Sequence, residues 1–319
     1  MADRIRQPHE KCTLVESIPP PQPPDPIASA ILQTVIYADL FDYPLTATEV
    51  HRYLIGQKAS LIEIEAYLSQ FHRLGQLLAC MPPFYFLRGR HHLVNIRRKR
   101  EVYSQQLWAT ARRYGRIIAA LPFVRMVGIS GSLAMDNVLH SEDDIDLLIV
   151  TQRGRVWFAR GLIILLVHLA RQSGVELCPN YILAEHQLQL DEASLFTAHE
   201  LAQMIPLSGQ ETYHNLLDSN SWIRDYLPNT SPRQITSGET NGLAQTSRRL
   251  AETIFGGRIG DALERWERER KVARLQGEAV ERGSQGATFN ECLCKGHMQD
   301  HGTLIDHRYQ SQLERYGLA

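Results

Sequence analysis

The sequence predicts an α+β architecture: a mixed sheet with helices, preceded by a small helical module with a hairpin and followed by further helices. Three observations carry this. Two capping boxes, Thr46-Ala-Thr-Glu49 and Ser60-Leu-Ile-Glu63, open consecutive helices before residue 92. Two apolar strands, Val124–Ile129 and the one ending at Thr151, flank a small-residue turn and an acidic run. A broad helical apolar face then covers Val156–Gln172, and a further candidate strand, Val175–Leu183, follows it.

In chain order, residues 1–25 lead into the run Pro19-Pro-Pro-Gln-Pro-Pro-Asp-Pro26. So many prolines cannot support a helix or a sheet ladder, so an extended, disordered leader is expected. Residues 26–92 form the next unit. An apolar helix (Ile27–Leu40) ends at Asp42-Tyr-Pro44, and a short helix follows over Glu49–Leu54. A longer one runs through Leu74 and is closed by Gly75. Leu77–Ala79 and Phe84–Leu87, around Met81-Pro-Pro83, read as a hairpin. Three helices and a hairpin in this order are winged-helix-like. The helix that would read DNA, Leu61–Leu74, offers Glu63, Glu65, Gln70, His72 and Arg73. Acids at its start would face phosphates, whose binding depends on Lys and Arg, so packing or partner contact is favoured over DNA.

Residues 93–230 begin with a basic connector, Arg97-Arg-Lys-Arg100, that continues as a helix through Arg112-Arg113 and Arg116. Tyr103, Leu107 and Ile117-Ile118 supply its expected apolar stripe. A charge run of this kind is usually a solvated helix face; lining a channel for triphosphate or RNA is the functional alternative. Pro179 in the strand Val175–Leu183 suits an edge or a bulge. Thr197–Met204, Gln210–Asp218 and Trp222–Tyr226 read as a helical cluster broken by Pro206, Ser219-Asn220 and Pro228. Residues 231–319 follow as a Ser/Thr/Pro/Gly-rich linker and a C-terminal helical region. Its helix over Leu243–Leu275 is interrupted near Gly256-Gly257, 277–286 is loose, and Asp306–Tyr316 is a short amphipathic helix.

The chemistry concentrates between Val127 and Thr151. Gly128-Ile-Ser130-Gly131-Ser132 is a small-residue turn that lets the backbone approach a phosphate, and Asp144-Ile-Asp146 opens a strand. Strand side chains alternate, so both carboxylates share one face while Ile145 and Leu147 enter the core. Two carboxylates beside free N–H groups and a hydroxyl suit Mg²⁺ (or Mn²⁺) carrying a nucleoside triphosphate (NTP). A solvated turn, Ser141-Glu-Asp-Asp144, before an ordinary buried strand is the structural alternative.

This spacing resembles the signature of the DNA polymerase β-like nucleotidyltransferase superfamily: Gly131-Ser132, eleven residues, then Asp144-x-Asp146 in a strand. The region from 27 to about 230 also resembles bacterial proteins that join a winged-helix-like module to a nucleotidyltransferase core. The pieces that carry this are Leu177-Cys-Pro-Asn-Tyr-Ile-Leu183, Thr197-Ala-His-Glu200 and Asn220-Ser-Trp222 with Tyr226-Leu-Pro-Asn229. The resemblance implies a minimal nucleotidyltransferase core, with Asp144 and Asp146 as metal ligands and Ser130, Gly131 and Ser132 as nucleotide-binding residues. It implies transfer of NMP from an NTP to a hydroxyl acceptor, which the sequence does not identify as RNA, protein or small molecule. The superfamily uses a third carboxylate on a neighbouring strand, and the candidates are Glu176 and Asn180, of which only Glu176 can accept a proton. Glu176 is therefore the expected base. The alternative function is a non-catalytic nucleotide-sensing or regulatory protein whose winged-helix module contacts DNA or a protein.

The remaining signals are weaker. Cys292-Leu-Cys294-Lys-Gly-His297 with His301 contains zinc-ligand types, but the Cys-x-Cys spacing is tight and no second pair follows; a local turn is favoured. His91-His92 and His199-Glu200 are expected at helix surfaces or in packing. The net charge of −1 demands neither nucleic acid nor membrane, and the apolar run Gly161–Val167 is too short to cross a bilayer. Five cysteines without framework spacing, and no apolar signal core at the start, lead to the expectation of a cytoplasmic address.

Overall fold

A computed structural model describes residues 25–70, 77–235, 242–281, 287–296 and 301–318. The proline-rich leader up to residue 24 lies outside them. So do His72, Arg73 and Gly75 at the expected end of the third helix, part of the 230–242 linker, and His297.

The amino-terminal helices begin where the sequence provides caps. Asp25 accepts the Ile27 amide at 2.9 Å and Pro26 takes the first position of α1 (Pro26–Asp39). After β1 (Leu45–Thr46), the Thr46 and Ser60 boxes are both closed, opening α2 (Ala47–Arg52) and α3 (Leu61–Ser69). The hairpin is β2 (Leu78–Met81) and β3 (Phe84–Leu87), and β1 joins it in a three-stranded sheet of order β1-β3-β2.

Helix α4 (Leu93–Ala119) carries the basic run, but the run is not wholly solvated. Arg97 is buried, paired with Glu49 at 3.0 Å and Glu101 at 2.7 Å, with its guanidinium 3.8 Å from the centroid of the Tyr43 ring. Arg100 donates to the Phe41 carbonyl and the Asn137 side chain. Only the residues between them, Arg98 and Lys99, face water. The apolar stripe also differs from the expected one. Leu107, Trp108, Ala111, Tyr114 and Ile118 are buried at helical spacing, while Ile117 points outward.

The main sheet follows: β4 (Val124–Ile129), a single turn α5 (Gly131–Ala134), β5 (Ile145–Thr151), α6 (Val156–Arg171) and β6 (Leu177–Ala184). Next come α7 (Leu195–Gln203), β7 (Ile205–Ser208), α8 (Gln210–Ser219) and α9 (Ile223–Tyr226), and then α10 (Gly242–Phe255) and α11 (Arg258–Glu281). The chain closes with β8 (Thr288–Phe289), β9 (Leu293–Lys295) and α12 (His301–Tyr316). The strand order is β7-β4-β5-β6-β9-β8. Strand β5 is antiparallel to β4 and parallel to β6, so the sheet is mixed.

In the main sheet, three strands escape sequence reading. Pro206 looks like a breaker, yet β7 is an edge strand, where a missing N–H is tolerated. The pair β8 and β9 has two and three residues, too few to show a period. Pro179, by contrast, lies in a central strand at an irregularity: Asp146 pairs with Cys178 but Leu148 with Tyr181, so β6 carries one extra residue there. Helix α11 extends through Glu281 across part of the stretch expected to be loose, and α12 starts five residues before the expected Asp306.

Two cores sandwich the sheet. On one face Leu107, Trp108 and Ile118 of α4 and Trp157, Ile163 and Val167 of α6 pack on Val127, Ile145, Ile149 and Ile182. On the other, Met126, Leu148, Val150 and Leu183 meet α7, α8, α12 and the amino-terminal helices in one continuous cluster. Hydrogen bonds hold the module there: Gly56 N–H to the Tyr226 carbonyl at 2.8 Å, and Asn229 to the His51 carbonyl at 2.9 Å.

The carboxyl-terminal region is built into the same body. Helix α6 has no side-chain cap of its own; Glu264 of α11 accepts the Trp157 and Phe158 amides at 3.0 and 2.7 Å. We expect Glu264→Ala to destabilise the protein by about 1–3 kcal/mol in denaturant titration, because those donors stay buried without a partner. Glu264→Gln, which keeps an acceptor, should cost less.

Candidate functional site

The site forms where the end of β4 meets the starts of β5 and β6. Ser130 N–H donates to the Asp146 carbonyl at 3.1 Å, which pins the turn after β4 to β5. Gly131 follows in the left-handed region with φ of 63°, and its α-carbon faces the Asp146 carboxylate so closely that a Cβ would collide with it. Glycine is required there for both reasons. Ser132 is the next residue of the turn, and Ser130, Gly131 and Ser132 all line one cavity with Asp144 and Asp146.

Alternation along β5 does what the sequence requires of it. Ile145, Leu147 and Ile149 are buried in the α4/α6 core, while Asp144 and Asp146 turn to the opposite face. One oxygen from each aspartate and the Cys178 sulfur lie within 4.8 Å of one another, the only such group of three among the described residues. Cys178 is opposite Asp146 in the parallel pair, and the extra residue after it lets Asn180 reach the same place. The Asn180 amide donates to Asp146 Oδ1.

Glu176, the expected base, is turned elsewhere. It precedes β6, at the exit from α6, and its carboxylate is held by Arg171, with Nε to Oε2 at 3.1 Å. It is not a member of the Asp144–Asp146–Cys178 group. Glu176 lies one residue before β6 begins, where Arg171 takes up its carboxylate, while Cys178 and Asn180 further along the strand reach the aspartates.

A different carboxylate faces the cavity. Glu200 on α7 lines the cavity beside the Gly131 amide and is close enough to Asp146 for their charges to interact. Its neighbour His199 is a packing residue, as expected. It is buried, stacked on Tyr37 at 4.0 Å with its Nδ1 3.0 Å from the Leu195 carbonyl, and burial pulls its pKa down to about 4. The sequence signal for Glu200 is slight: it is the lone acid in Leu195–Gln203, three residues from Thr197 and Gln203, which also line the cavity.

The electrostatics are those of crowded acids. Burial, and then the charges of Asp144 and Glu200, push the Asp146 pKa up to about 8 against the hydrogen bond from Asn180. Burial raises Glu200 to about 7, opposed by the Gly131 amide. Burial and a hydrogen bond to Asp144 push the Cys178 thiol up to about 12, so it remains protonated. The carboxylates therefore fit a hard divalent cation, which would relieve their mutual repulsion, with Asp144 and Asp146 as its ligands. Cys178 serves better as a donor to Asp144.

Beyond the acids the cavity continues for a total of about 550 Å³ between α1, α7 and α12, with Tyr37, Phe41, Tyr53, Phe196 and Met204 among its walls. Among the described residues, the other thiols are outside its lining. Cys294 Sγ is 3.3 Å from Arg160 Nε, and Cys292 Sγ is 3.5 Å from His186 Nε2. No protein-family model, curated protein or solved structure matches this chain.

Because Asp146 holds a proton in the folded protein well above its ordinary range, the folded state binds more protons than the unfolded one between about pH 4 and 8. Stability without metal should fall as pH rises through that window. Thermal melts in a chelator should show a lower Tm at pH 9 than at pH 6, and Asp146→Asn should flatten that slope and raise the Tm at pH 9.

Proposed function

We propose that the chain is a Mg²⁺- or Mn²⁺-dependent nucleotidyltransferase that moves NMP from an NTP to a hydroxyl acceptor. The observation that carries this reading is the meeting of two strand-borne aspartates with the Gly131-Ser132 turn in one cavity. The order α4-β4-α5-β5-α6-β6-α7, with β5 parallel to β6, supports it as the core that the sequence motif implies.

Asp144 and Asp146 would hold the cation, which when bound supplies charge stabilisation at the reacting phosphorus. Ser132 and the backbone of the turn orient the triphosphate. Glu200, which lines the same cavity, takes the proton from the acceptor hydroxyl, the role expected earlier of Glu176. A non-catalytic, nucleotide-sensing reading draws on one observation: the β6 residue in contact with Asp146 is Asn180, whose amide cannot accept a proton.

A labelled-NTP assay with all four NTPs and either cation separates the two readings. The transferase reading expects pyrophosphate release that Asp144→Asn or Asp146→Asn abolishes. It expects Glu200→Gln to lower the rate by about 10²–10⁴ and Glu176→Gln to change it by less than about threefold. Nucleotide binding without pyrophosphate release would establish the sensing reading instead.

The order α1-β1-α2-α3-β2-β3 supports a winged-helix-like module, with Glu63 in the first turn of the helix that would face DNA. Its work is docking onto the core through α1. Duplex DNA should bind weakly, without sequence preference, and be lost at physiological salt in a gel-shift titration. No helix among the described residues is long and apolar enough to cross a membrane.

A further inference from the structure

The lining of the cavity joins two chemistries. The Gly131-Ser132 turn, Asp144, Asp146 and Glu200 are polar or acidic, whereas Tyr37, Phe41, Tyr53 and Phe196 are aromatic. Its volume of about 550 Å³ is that of a small-molecule site. Parts of the chain distant in sequence build the apolar walls: Tyr37 and Ala38 of α1, Phe41 just after it, Tyr53 after α2, Phe196 of α7, and Ile305 of α12. The amino-terminal module therefore forms a wall of the site.

The charges in the cavity are unequal. Asp144, Asp146, Glu192 and Glu200 line it, against a single described cation, Lys295. The Lys295 Nζ is already committed to Glu192 Oε2 at 3.0 Å. A divalent cation would offset Asp144 and Asp146, leaving Glu200 and the aromatic lining to whatever else occupies the cavity. An anionic occupant would be repelled, and an apolar body would gain from aromatic walls.

Resting on the transferase reading, we propose that this chamber seats the acceptor, and that the acceptor is a small, non-anionic alcohol with an apolar, ring-containing body. An RNA end brings phosphates to an acidic site and does not fit. In the transfer, the acceptor O–H bond breaks and its proton passes to Glu200. The oxygen's electron pair forms the new bond to the NTP α-phosphorus, and the P–O bond to pyrophosphate breaks, the pyrophosphate leaving with that electron pair.

The test uses 2-naphthol as a neutral probe and 2-naphthoate as its anionic counterpart, measured by calorimetry with the full chain. 2-Naphthol should bind saturably, with a Kd on the order of 0.1 mM, and at least about tenfold more tightly than 2-naphthoate. Ala38→Trp, which fills the chamber, should weaken 2-naphthol by about tenfold or more. Phe41→Ala, at a half-exposed wall position that the fold tolerates better, should weaken it by about fivefold. Both variants leave Asp144, Asp146 and Glu200 in place and should keep Mg²⁺-dependent binding of a non-hydrolysable NTP. 2-Naphthol should bind equally well in its presence.

Equal affinity for 2-naphthoate, indifference to both substitutions, or competition between 2-naphthol and the NTP analogue would overturn the proposal; competition would give the chamber to the nucleotide base. NTP binding without 2-naphthol binding overturns the acceptor assignment alone. The 2-naphthol pattern without any Mg²⁺-dependent NTP binding overturns the transferase reading, and the acceptor role falls with it.

Discussion

The contact between the Asp146 carboxylate and the Gly131 backbone holds the site together. It requires glycine at 131, since any side chain there would meet the acid. It sets the turn against β5 through the Ser130 amide, and it brings the Gly131 N–H round to Glu200. Crowding three carboxylates near one buried position is unfavourable in itself, and it raises the proton affinity of the central one. Strain of this kind persists where the surrounding structure fixes it. Here the fixing elements are the β4/β5 pairing on one side and the packing of α7 on the other.

Much of the site was legible because its signals are local. The alternation of Asp144, Ile145, Asp146 and Leu147 follows from strand geometry alone, and the structure puts the acids and apolar residues on the faces that the alternation demands. The capping boxes at Thr46 and Ser60 are equally local, and both close. What failed was the boundary of a strand. The sequence suggests a strand from Val175, but β6 begins at Leu177, so Glu176 lies one residue outside it and its carboxylate goes to Arg171.

Glu200 was out of reach for a different reason. Its approach to Gly131 depends on how α7 lies across the sheet, a tertiary fact with no fixed spacing in the sequence. The basic run of α4 shows the same limit. Charge composition suggests a solvated face, yet Arg97 turns inward to Glu49 and the Tyr43 ring, joining the connector to the module. Pairing turns what looks like a surface cation into a buried one. The chamber walls are the extreme case, since α1 and α12 come from opposite ends of the described chain.

The pairing of β9 with β6 has a consequence for how the protein comes into being during synthesis. Strand β6 is complete at Ala184, but its partner spans Leu293–Lys295, more than a hundred residues later. Until that segment leaves the ribosome, β6 presents a row of free backbone donors and acceptors, and the first turn of α6 waits for Glu264. The acids therefore emerge early on an unfinished sheet. The nascent chain passes through a long interval in which its edge is open to other chains, and the segment that carries β9 decides when that hazard ends.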